Sequence, residues 1–160
     1  MRVLGIDPGT SITGYGVVDW TNGAPPAEGS RLVECGIISF AGRSPLPRRL
    51  AELHDGITAL IRRHRPSVLA LENAFYHKNV RTTLVLGHAR GVVLLAAQQA
   101  GLAIAEYPPA TIKKTVVGVG GAHKAQVAAM VARILRLRRA PHPADAADGV
   151  AVALTHILRS

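Results

Sequence analysis

The sequence has little cysteine, little acid and no obvious leader. Its one cysteine, Cys35, excludes an intrachain disulfide and a cysteine-ligated zinc cluster, and makes a reducing compartment the simple expectation. The opening Met1-Arg2-Val3-Leu4-Gly5-Ile6-Asp7 reaches an acid and then Pro8-Gly9 too soon for a signal-peptide core. No apolar run approaches the ~20 residues of a membrane span, so the expectation is a cytoplasmic protein without a membrane anchor. At 160 residues the chain suggests a single domain, residues 1–160, and is too short for the two-lobed ATPase folds. Acids are scarce: 10 Asp+Glu against 19 Lys+Arg give a net charge of +9. That balance favours anionic partners without saying which. With 48% hydrophobic and 18% charged residues, the chain can fold around a core and does not read as a disordered basic tail.

What is present reads as strands first, then helices. Arg2 to Asp7 and Thr13 to Trp20 read as two strands with a tight connection, and the Asn22-Gly23 turn and a Gly/Pro-rich stretch lead to a third over Arg31 to Phe40. Leu46, Leu50, Leu53, Ile57, Leu60 and Ile61 recur at steps of three and four, predicting an amphipathic helix over 46–64 that ends at Pro66. Ser67 to Leu71 is a short continuous apolar run, the pattern of a buried parallel strand ending at Glu72. A polar loop over 73–79 precedes a helix over 80–100 and a strand over 102–107. A helical turn after Pro108-Pro109, a long helix over 123–138 and a last one over 143–158 complete the order. The expected fold is α/β, a five-stranded mixed sheet flanked by helices.

Four of the ten acids fall where chemistry could use them: Asp7 at the end of the first strand, Glu72 at the end of the fourth, and Asp145 with Asp148 opening the last helix. Strand ends in an open α/β sheet form ligand crevices, and the i, i+3 spacing of Asp145 and Asp148 puts both on one helix face. Converging carboxylates repel unless protons or cations sit among them. Hard oxygen donors favour Mg²⁺, with Mn²⁺ as a substitute. Two such ions about 3.5–4 Å apart can activate water and stabilise the leaving oxygen of a phosphodiester.

The motifs Gly5-Ile6-Asp7-Pro8-Gly9, Thr13-Gly14-Tyr15-Gly16-Val17, Glu72-Asn73-Ala74-Phe75 with Lys78-Asn79, Leu86-Gly87-His88-Ala89-Arg90-Gly91, Lys113-Lys114-Thr115-Val116-Val117-Gly118 and Ala144-Asp145-Ala146-Ala147-Asp148-Gly149 resemble, in order, those of the RuvC Holliday-junction resolvases. The resemblance implies a ribonuclease H-like fold and a homodimer that cuts four-way DNA junctions in recombination and repair by paired, Mg²⁺-dependent nicks. It also implies RuvA and RuvB as partners in branch migration. Carried over, the metal ligands are Asp7, Glu72, Asp145 and Asp148, with Lys113 and Lys124 acting beside them. Phe75 is implied as a base-stacking aromatic, with Tyr76 a weaker candidate beside it; Lys78, Arg81, Arg90 and Lys114 are candidate phosphate contacts.

Other features read more plainly. His77, His123 and His142 are optional to the chemistry, and His142 reads as a helix-start residue beside Pro143. Arg133, Arg136, Arg138 and Arg139 read as a solvated face that complements a helix dipole. Gly118-Val119-Gly120-Gly121 lacks the Gly-Lys-Ser/Thr ending of a phosphate loop and reads as a connector to Lys124. Gly87 and Gly91 permit close approach, either to the sheet or to a second copy. Alternatives are a related nuclease acting on structured RNA, a non-catalytic nucleic-acid-binding module, and a fragment of an actin-like kinase or chaperone.

Overall fold

The computed structural model describes residues 1–40, 43–74 and 78–160. Among them the chain forms β1 (Arg2–Asp7), β2 (Ile12–Trp20), the single turn α1 (Pro26–Gly29), β3 (Ser30–Ser39), α2 (Leu46–His64), β4 (Val68–Glu72), α3 (Val80–Gln99), β5 (Ala103–Tyr107), α4 (Pro109–Val117), α5 (Lys124–Ile134) and α6 (Ala144–Leu158). The sheet runs β3-β2-β1-β4-β5. β1, β2 and β3 pair antiparallel, whereas β1–β4 and β4–β5 are parallel. This is the expected mixed sheet; its three central strands β2, β1 and β4 are buried along their middles, whereas β3 and β5 are half-buried edges.

Alternation along the strands sends side chains to two cores. Leu4, Ile6, Val17, Leu69 and Leu71 pack under α2 and α3 with Leu53, Ile57 and Val93. Val3, Val18 and Ala70 face the other way, toward α4, α5 and α6. On this second side glycines replace side chains where α6 crosses the sheet. A Cβ on Gly5 would stand 2.3 Å from the Gly149 carbonyl oxygen, and one on Gly14 only 1.8 Å from that of Asp145. The last helix therefore lies directly on the backbone of β1 and β2, closer than any side chain would allow.

Three helices differ from expectation. Pro108-Pro109 opens a nine-residue helix rather than one turn, since a proline at the first helical position surrenders an N–H that has no partner there anyway. α5 stops at Ile134 instead of 138: Leu135 is buried, Leu137 packs on the same core, and Arg136 between them takes a left-handed φ of 53°. α3, 20 residues with mean hydropathy 1.3, matches a membrane-crossing helix by length and composition. It instead packs Ala89, Val93, Ala96 and Ala97 into the core beneath it and holds Arg90 in an ion pair with Glu106. Its opposite side stays apolar: Val80, Leu84 and Leu95 are more than half exposed.

Candidate active site

Asp7 ends β1 and Glu72 ends β4, and the parallel pairing of these neighbours sets the two carboxyls side by side at the carboxyl ends of the central strands. They stand close enough for each to shift the other's protonation. Two pieces of backbone fix them. Arg49 from α2 donates to the Thr10 carbonyl at 2.9 Å, holding the turn that follows Asp7, and the Asn73 N–H donates to the Tyr107 carbonyl at 2.9 Å, continuing the ladder past Glu72.

α6, seated on the glycines, brings Asp148 to the same place from above. Lys124, the first residue of α5, donates from Nζ to Asp148 Oδ2 at 2.9 Å. Lys113 of α4 stands near enough for its charge to act on Glu72. Two small cavities, about 150 and 170 Å³, have Asp7 and Glu72 in common. Asn73, Gly87 and Arg90 line one; Lys113, Lys124 and Asp148 line the other. Each has room for about five waters and none for a nucleoside, so a phosphodiester must approach these acids from outside.

Electrostatics carry the strain of this packing. Burial, then the charges of Glu72 and Asp148, push the Asp7 carboxyl up to about 8, against the opposing pull of Lys124. Burial and the Asp148 charge raise Glu72 as well, with Asp7, Lys124 and Lys113 pulling back. Lys124 is raised chiefly by its hydrogen bond to Asp148, and Asp145, one turn earlier on α6, adds to that effect. Asp145 thus belongs to the same electrostatic group but does not line the two cavities. The cluster is a set of hard oxygen donors, with neither cysteine nor histidine among the lining residues, and it holds a proton at neutral pH that a cation could replace. As placed, no three such side chains among the described residues are grouped closely enough to hold a metal ion, but the donor chemistry of Asp7, Glu72 and Asp148 suits a hard divalent ion.

Glu106 was not legible as a site residue. On β5 it accepts from Asn73 Nδ2 at 2.8 Å and from Arg90 Nε at 3.2 Å, tying the residue after Glu72 to the middle of α3. Arg90, expected to meet phosphate, is half of that clamp. Both residues donate to the same oxygen, Oε2, so Glu106→Gln keeps an acceptor there and removes the charge that pairs with Arg90. We expect a stability loss of about 1 kcal/mol and roughly tenfold slower cleavage, read by thermal melts and single-turnover rates. Lys78 and Arg81 are exposed at the start of α3 and Lys114 is exposed on α4, outside the cavities. Asn79 caps α3, accepting from the Thr82 N–H at 3.2 Å. Phe75, Tyr76 and His77 lie outside the described residues. His123 caps α5, and His142 is exposed just before α6. Gly87 and Gly91 do not pack on the sheet, because a Cβ on either would meet nothing within 4 Å.

Strand order, the glycine-seated last helix and the acids at the carboxyl ends of β1 and β4 define the class: a ribonuclease H-like protein with an acidic cleft. Within it, the chain belongs to the crossover junction endodeoxyribonuclease RuvC family, whose sequence model matches residues 3–156. A crossover junction endodeoxyribonuclease RuvC of Halorhodospira halophila is 50% identical over 155 residues, 97% of this chain and 89% of that protein. One from Chloroflexus aurantiacus is 46% identical over 156 residues, 98% and 92% of the two chains. The solved RuvC of Thermus thermophilus superposes with a TM-score of 0.88 at 34% identity, covering 99% of this chain and 94% of that one. The T. thermophilus RuvC in complex with Holliday junction substrate gives 0.86 at 32% identity, with the same coverage.

Proposed function

We propose that this protein resolves four-way DNA junctions by hydrolysing one phosphodiester in each of two opposed strands. The observation that carries the reading is an acidic cleft on a chain of net charge +9, built from Asp7, Glu72 and Asp148 with Lys113 and Lys124 on one wall. A polyanion is drawn to the protein by the surplus of bases, and it can approach the carboxylates only where their charge is neutralised. Asp7, Glu72, Asp145 and Asp148 would hold Mg²⁺, two ions for each site, with Mn²⁺ as a substitute. Bound there, the ions supply an activated water and charge neutralisation at the leaving oxygen.

The chain's own groups do the rest. Asp7, which keeps its proton up to about pH 8, would release it to solvent on holding an ion with Glu72. Lys124 is held by Asp148 beside the cleft, where its ammonium can sit against a phosphate oxygen as charge develops; Lys113 faces the same space. Lys78, Arg81 and Lys114, all exposed, take flanking phosphates, and Phe75 with Tyr76 follows Glu72 closely enough in sequence to reach an unstacked base. One cleft cuts one strand, so symmetric nicks need a two-fold assembly.

The uncovered apolar side of α3, with Val80, Leu84 and Leu95 exposed and open space at Gly87 and Gly91, is the surface on which a second copy would sit. Leu84→Glu should weaken self-association more than tenfold in sedimentation and turn paired nicks into single ones. Family membership supports a cytoplasmic location and the RuvA and RuvB proteins as partners. The test of the function is a labelled mobile four-way junction with excess unlabelled duplex, in Mg²⁺ and in EDTA. Nicked duplexes cut symmetrically, only with metal, are the expected products. Indiscriminate degradation, or preferential cleavage of structured RNA, would overturn the reading.

A further inference from the structure

The +9 surplus is not spread evenly. Outside the cleft, Asp19 is paired with Arg2 and Arg31, Glu34 with Arg63 and His64, Glu52 with Arg48, Asp55 with His54 and Glu106 with Arg90. Four exposed arginines lie within one seven-residue stretch, Arg133, Arg136, Arg138 and Arg139. None of them has an ion-pair partner among the described residues. Four like charges so close repel one another, and no acidic side chain among the described residues pairs with them.

They are nonetheless held firmly. Leu135 is buried and Leu137 packs on the same core, so leucines point inward and arginines outward in alternation. The Leu137 N–H donates to the Ala132 carbonyl at 2.8 Å and the Arg136 N–H to that of Arg133 at 3.2 Å. A solvated end would fray, whereas this one is anchored residue by residue. Topology then gives the stretch a direction. α5 starts at the cleft with Lys124 and α6 starts there with Asp145 and Asp148. The nine residues between the two helices must therefore run back along the length of α5, about 16 Å. Arg133 lies in the last turn of α5 and Arg136, Arg138 and Arg139 at the start of that return, so the four stand at the end of α5 away from the cleft, about 16 Å from Lys124.

We infer that this arginine ridge is a track for a duplex arm of the DNA, gripping backbone phosphates over roughly five base pairs as the arm leaves the cleft. The inference rests on the proposed function and adds a surface to it. Charge of one sign, lack of side-chain acceptors and a fixed backbone suit a phosphate ladder, which asks for repeated cations and no base reading.

The experiment measures affinity of the whole protein for junctions with arms of about 20 and about 5 base pairs, as a function of salt. The protein carrying Arg133→Gln, Arg136→Gln, Arg138→Gln and Arg139→Gln together should bind the long-armed junction about tenfold or more weakly, with a salt slope shallower by about 2–4. It should bind the short-armed junction as the unaltered protein does. Arg138→Gln alone, which removes no core contact, should reduce the long-arm slope by about one. An unchanged slope would overturn the ridge, and so would an equal loss on both junctions. Retained DNA affinity with lost binding to polyglutamate would also overturn it and assign the surface to an acidic protein. Failure of the proposed function is seen separately, in an unaltered protein that neither prefers nor cuts junctions.

Discussion

Asp7→Asn should lower junction cleavage by ~10³-fold while leaving junction binding intact or tighter, because a negative charge facing the phosphates is removed. The same change should stabilise the metal-free protein. The native state holds the Asp7 proton up to about pH 8, while the unfolded chain releases it near pH 4. The folded state is thus the better proton binder in that window, and this group's stabilisation is full below about pH 4 and lost as pH rises through 8. In EDTA the melting temperature of the unaltered protein should fall between pH 5 and 9. Asp7→Asn should melt with a weaker dependence on pH over that range, the remainder coming from Glu72, and about 4–8 °C higher at pH 8, on the order of 2 kcal/mol. Gain of stability with loss of cleavage separates a charge placed for chemistry from one placed for folding. Loss of both would mean that Asp7 only supports the strand end.

Gly14→Ala should have the largest effect on the fold. The added methyl would stand 1.8 Å from the Asp145 carbonyl oxygen, a backbone atom that cannot swing away, so α6 must lift from β2. We expect a loss of about 3 kcal/mol, or roughly 6–12 °C in melting temperature. Cleavage should fall by about 10² beyond what the unfolded fraction explains, because Asp145 and Asp148 ride on the displaced helix. Gly121→Ala, whose Cβ meets nothing within 4 Å, is the control and should change stability by less than about 0.5 kcal/mol. Equal melting curves for the two variants would show that α6 is not seated on the glycines.

These two variants also mark what was legible in the sequence. Asp7 and Glu72 stood out because each ends an apolar run at a turn signal, where an acid has no packing reason to be. The period of α2 marked its course, since one of its faces is wet and the other buried, and Pro66 marked its end. α3 gave no such periodicity because it is apolar on both sides, one side against the sheet and the other uncovered. Gly5, Gly14 and Gly16 were readable as parts of motifs, but their use as a bed for a helix from the far end of the chain was not. The signal available was their alternation on one face of β1 and β2. Glu106 sat in a strand with no motif around it, and only the approach of Asn73 and Arg90 gives it a role. The arginines after α5 prolonged a helical pattern that Leu135 and Leu137 cut short by turning into the core.

Asp7, Glu72 and Asp148 gather an excess of negative charge that a divalent cation would answer. The direct test is the melting temperature at pH 8 as Mg²⁺ is titrated into the unaltered protein and into Asp7→Asn, with no DNA present. A saturable rise of several degrees in the first and little or none in the second is predicted. An equal rise in both, or no rise in either, would contradict it.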